Sequence, residues 1–128
     1  SDLAHELENV GDSCFNLMIL AERRYNKQIE LPAAAVNELA PYSTKVAEFI
    51  EFIKEHLNEH LSRVEMETAY DLEDSVNEHR NHLKDEAQDR LGAGSNVKSE
   101  LLFIEIVRQI EQIGDHSLNI AQALRQIR

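Results

Sequence analysis

Two stretches of the chain carry the same acids at the same spacing. Residues 6–17 read ELENVGDSCFNL and residues 109–120 read QIEQIGDHSLNI, 103 positions later. Glu8 matches Glu111, Gly11 matches Gly114, Asp12 matches Asp115 and Asn16 matches Asn119. On a helix, a glutamate and an aspartate four residues apart point from one face, close enough to share a ligand. Two carboxylates near a core repel each other and are costly to bury unless something positive compensates them. A metal ion could do so, and so could basic side chains on a facing helix. The glycine sits between the acids, where it costs a helix interior about 1 kcal/mol relative to alanine, so its repetition points to a close approach of another helix.

Other constellations carry less. The stretch HLNEH, His56 to His60, fits the H-x-x-E-H pattern of inverted zinc peptidases. Such an enzyme also needs a further carboxylate ligand and a preformed pocket, and the plain reading is a polar helix face with adventitious zinc or nickel binding at His56 and His60. A di-iron centre in a helical bundle needs Glu-x-x-His on two helices; this chain has none, its nearest approach being Asp2-x-x-His5. His79, His82 and His116 read as surface or rim residues. Gly92-Ala93-Gly94 is a helix stop, not a phosphate loop. Cys14, the lone cysteine, excludes an internal disulfide and reads as a small core residue.

The balance of charge narrows the partners. A net charge of −11 and a pI near 4.9 disfavour nucleic acid and anionic lipid surfaces, whose phosphates would be repelled. Tyr25, Tyr42 and Tyr70 do not interleave with basic residues, which again speaks against single-stranded nucleic acid. No apolar run approaches the ~20 residues that a bilayer crossing needs, and no basic, apolar leader stands at the start.

Four helices must position these residues. Leu3, Leu7, Val10, Cys14, Leu17 and Ala21 form a 4-3-4-3-4 stripe that predicts a helix over 2–27. Pro32 opens a second over 33–61, carrying Val36, Leu39, Val46, Ile50, Ile53, Leu57 and Leu61, with Pro41 expected to kink or delay it. Ser62 and Glu65 form a capping box for a third over 63–91. Ser95 or Asn96 caps a fourth over 96–127, whose stripe runs from Leu102 to Ile127. Long helices with short connections predict an all-α, antiparallel four-helix up-and-down bundle in a single domain. Phe15, Phe49, Phe52 and Phe103 read as core or interface. With a motif helix first and its twin last, the chain reads as the final helix of one three-helix unit (1–28) followed by a whole unit (32–128), a fragment of a longer parent.

The stretch RQIEQIGDHSLNIAQAL resembles the signature helix of the PhoU family, and DLEDSVNEHRNHLKDE resembles its companion helix, with Val76-Asn77 in the expected place. The resemblance implies three-helix units that control phosphate uptake without catalysis, as stand-alone regulators or as cytoplasmic tails of sodium-dependent phosphate cotransporters. In some members the acid motifs hold multinuclear metal clusters, commonly iron, which would make Glu8, Asp12, Glu111 and Asp115 the candidate metal ligands here. Metal-binding members carry an acid pair on the companion helix; alignment from Asn77 puts Arg80 and Lys84 there instead. Glu111 and Asp115 are therefore expected to be tied to Arg80 and Lys84, with Gly11, Asn16, Gly114 and Asn119 as support and no cofactor bound. The cation pair suits a cotransporter tail, on the cytoplasmic side of the membrane, docking on the parent's membrane portion or self-associating. The runner-up is a stand-alone regulator with iron or another divalent metal at the motif acids, and the third reading a bundle without ligand.

Overall fold

The computed structural model describes residues 2–126 and builds them almost entirely into helix: α1 (Asp2–Lys27), α2 (Ala33–His56), α3 (Arg63–Gly92) and α4 (Val97–Gln126), with no strand among the described residues. Local chemistry sets the ends. Ser62 accepts a hydrogen bond from the Glu65 amide while the Glu65 carboxylate takes the Ser62 amide, so α3 starts with both orphan donors satisfied. Gly94 supplies the positive φ of +93° that ends the turn after α3. Asn96 then accepts from the Ser99 amide and starts α4. The second helix stops at His56, short of the expected residue 61. It starts at Ala33 and runs on through Pro41. Ile127 lies outside the described residues.

The helices alternate up and down, and α4 is their hub. It packs against α1, α2 and α3; α2 and α3 also pack on each other, whereas α1 touches α4 alone. Two apolar clusters fill the α2–α3–α4 unit. One centres on Tyr42, Val46, Val76, Leu83, Phe103 and Val107, the other on Phe49, Leu61, Ala69, Ile120 and Leu124. The buried seam of α2 is Ala35, Tyr42, Val46, Phe49 and Ile53: Val46 and Ile53 of the expected stripe are buried, whereas Val36 and Ile50 are exposed and Tyr42 and Phe49 fill the core.

A single neighbour divides the expected stripe of α1. Leu3, Val10 and Leu17 face α4 with Ser13 and Leu20, while Leu7, Cys14 and Ala21 stay exposed. Cys14 is therefore an exposed thiol, not a core residue. Phe15 is exposed as well, whereas Phe49 and Phe103 are fully buried.

Candidate functional site

On α3, Glu73, Asn77, Arg80 and Lys84 recur at 4-3-4 spacing and line one face. That face meets the second acid motif of α4. The Glu111 carboxylate, 13% exposed, forms an ion pair with Arg80 Nη1 on one oxygen and lies 3.7 Å from Lys84 Nζ on the other. Asn77 Oδ1 accepts from the same Arg80 nitrogen at 3.3 Å, and Asn81 Oδ1 accepts from its Nε at 3.0 Å. The guanidinium is thus oriented by two amides and spent on one acid.

Asp115 forms no ion pair with Arg80 or Lys84; it faces Glu73. The antiparallel register explains this correction: one turn forward on α4 from Glu111 is one turn back on α3, away from the cations. Glu73 is only 7% exposed. Burial pushes its carboxyl up, the hydrogen bond and charge of Asp115 push it further, and Asn77 and Arg80 pull against them, leaving it at about 7. Its Oε2 has no hydrogen-bond partner among the described residues, which leaves this raised carboxyl open to hold a proton against Asp115. Gly114 makes this approach possible. A Cβ there would stand 3.3 Å from Val76 Cγ1 and 3.5 Å from Glu73 Oε2. Beside the cluster, buried Tyr42 donates to the Val107 carbonyl at 3.2 Å and meets the His79 ring with centroids 5.4 Å apart.

The first motif stands differently. Glu8 and Asp12 are exposed, and a Cβ on Gly11 would meet nothing within 4 Å. Its asparagine is engaged: Asn16 Nδ2 donates to Gln109 Oε1 at 3.4 Å. Across the same contact Asn119 Nδ2 donates to Glu6 Oε2 at 3.3 Å. Asn16 and Asn119 occupy the same place in the repeat, as do Glu6 and Gln109. The two motif helices therefore make one contact twice, about a local two-fold axis between α1 and α4. His116 Nδ1 lies 2.7 Å from Glu6 Oε2; burial alone would raise the Glu6 carboxyl, but the His116 and Asn119 hydrogen bonds bring it below its ordinary value.

Sequence reasoning missed three residues of consequence. Glu73 was legible in principle, because it shares the helical face of Asn77 and Arg80. Tyr42 fell outside the expected α2 stripe. Glu100, 0% exposed, takes Arg90 Nε on both oxygens at 2.9 Å, and the guanidinium lies 5.3 Å from the Phe103 ring centre. Only the fold reveals a glutamate buried in the first turn of α4.

Two further groups gather metal-type donors within 4.8 Å of one another: Glu38, His82 and Glu86, and His56, Glu59 and Glu65. In the second, His56 Nδ1 is 2.8 Å from the Phe52 carbonyl and Nε2 is 2.7 Å from Glu65, whose other oxygen closes the capping box. Because α2 ends at His56, His60 is not held on a common helical face with it, as the peptidase pattern would require.

The arrangement is a helical bundle in which Glu111 of the second motif meets Arg80 and Lys84 along the α3–α4 seam. The chain belongs to the PhoU domain family, whose model matches residues 44–124. The matched segment contains the α3–α4 seam and the second motif; the first motif lies outside it. Domains of this family regulate phosphate uptake and are not catalytic. Comparisons with curated proteins and with solved structures return no match. No described helix is long and apolar enough to cross a membrane.

Proposed function

We propose that this chain is the cytoplasmic regulatory domain of a sodium-dependent phosphate cotransporter, acting by docking and not by catalysis. The observation that carries the reading is Glu111 held between Arg80 and Lys84. Where metal-binding members of the family place a second acid pair, this chain places two cations, so the donor set around Glu111 does not fit a metal cluster. Positive charge comes from the side chains, and at Glu73 from a shared proton. The α3–α4 seam is then a charge-locked joint that keeps the surface of α4 and α2 in one arrangement for docking on the membrane portion of the parent.

The test is sodium-driven phosphate uptake in cells whose chromosomal copy lacks residues 2–126. The reading expects uptake to persist but to lose its response to phosphate supply. Uptake unchanged in both rate and response would contradict it. Glu8 and Asp12, exposed and without an ion pair among the described residues, favour the second reading, a stand-alone regulator that gathers metal at Glu8, Asp12, Glu111 and Asp115.

A further inference from the structure

The two groups of metal-type donors away from the acid motifs differ in what they lack. Around His56 and Glu59, the Glu65 carboxylate is already spent: one oxygen closes the capping box and the other lies 2.7 Å from His56. Around His82 the acids are not satisfied. Glu38 Oε2 is buried without a hydrogen-bond partner among the described residues. The group beside it is a second carboxylate. The hydrogen bond with Glu86 raises the Glu38 carboxyl, burial and the Glu86 charge raise it further, and His82 and Arg90 pull against them. Arg90 is a poor remedy, because its Nη1 lies 3.9 Å from Glu86 while its Nε is held by both oxygens of Glu100. Two acids pressed together with an imidazole at their side gain from a dication.

Two helices supply the donors. His82 and Glu86 stand one turn apart on α3, and Glu38 reaches them from α2. They lie two positions, roughly 200°, around α3 from Arg80 and Lys84, so this set shares neither a residue nor a face with the charged seam. His82 Nε2 is 2.5 Å from Glu86 Oε1 and 3.8 Å from Glu38 Oε1. A tetrahedral ion with bonds of about 2.0–2.1 Å sets its donors roughly 3.3 Å apart. The first pair must therefore open and the second close, each by less than about 1 Å. Rotation of the glutamate ends supplies that much without moving a helix.

We propose that Glu38, His82 and Glu86 form a zinc-type metal site that ties α2 to α3, with one imidazole nitrogen and two carboxylates holding the ion and water completing its shell. The mixed donor set favours zinc over magnesium or calcium, which take shells of oxygen alone. The two carboxylates cancel the charge of the ion, and it displaces the proton they would otherwise share. His82 is 60% exposed, so the ion enters directly from solvent. Three protein ligands hold it more weakly than the four of a structural zinc site, so it exchanges readily and little of it survives purification. The site does not rest on the transporter reading. It gives the bundle a second joint, α2 to α3, closed by an ion where the α3–α4 seam is closed by side-chain cations.

The test is titration calorimetry of the whole chain with zinc chloride, after a chelator has removed any bound metal, alongside thermal melts. The expected result is one ion per chain and a melting temperature that rises with zinc. The affinity falls at least about tenfold in His82→Ala and in Glu38→Gln, with helix content unchanged. His56→Ala and Glu111→Ala bind zinc as the parent does, which separates this site from the other donor group and from the motif acids. Absence of zinc binding, binding undiminished by His82→Ala or Glu38→Gln, or an ion lost in His56→Ala or Glu111→Ala instead would overturn the proposal. Magnesium binding as tightly as zinc would overturn it too, by reducing the site to a patch of acidic surface.

Discussion

Glu73 is the residue whose state sets the local chemistry. Its folded carboxyl titrates near 7, against 4.5 ordinarily. Between those values the folded chain holds a proton that the unfolded chain has lost, so this group's contribution is complete in acid and falls as pH rises toward 7. At ~1.36 kcal/mol per pKa unit the loss is at most about 3 kcal/mol. The facing groups are Asp115 of α4, Asn77 and Arg80 of α3, and Tyr42 of α2. Glu73→Gln donates permanently to Asp115, so thermal melts from pH 5 to 8.5 should show this variant overtaking the parent above pH 7. Parallel pH profiles would contradict the shared proton. The paired glycines give a second test at this scale. Gly11→Ala meets open space and should stabilise α1 by about 0.5–1 kcal/mol in dilute solution. At Gly114 the same change presses on Val76, 1% exposed and stiff at χ1, so the gain should vanish or reverse in a denaturant titration.

Among the elements, α3 and α4 form the joint, and Arg80 is its pin. With Arg80→Ala, Glu111 at 13% exposure keeps only Lys84 at 3.7 Å. We expect a loss of roughly 2 kcal/mol, below the 3–5 kcal/mol of a fully buried pair because solvent reaches the site. An unchanged melting temperature would show that the pair is idle. This level also shows what the sequence made legible. Caps, turns and repeats are local, so Ser62–Glu65, Gly94 and the doubled Glu-x-x-Gly-Asp could be read directly. Which of two adjacent stripes a helix buries depends on its neighbours. The reading of α1 therefore went astray at Cys14 and that of α2 at Ile50. Asp115 was set against the cations because spacing within a helix does not reveal the antiparallel register between helices; the same register brings Glu73 into the site.

At the scale of the molecule, a hub helix carries one finished seam and one helix that is covered on a single side. The second motif is closed by α3, where Arg80 and Lys84 answer Glu111 and the raised carboxyl of Glu73 lies against Asp115. The first motif lies open beside an apolar surface. The contrast at the second motif is between charge pairing and metal binding. Elemental analysis of protein purified without a histidine tag or chelating resin tests that division most directly. The charge-paired seam predicts only substoichiometric transition metal, unchanged in Glu111→Ala. Stoichiometric iron or manganese that disappears in Glu111→Ala would contradict it and make the motif acids a metal centre.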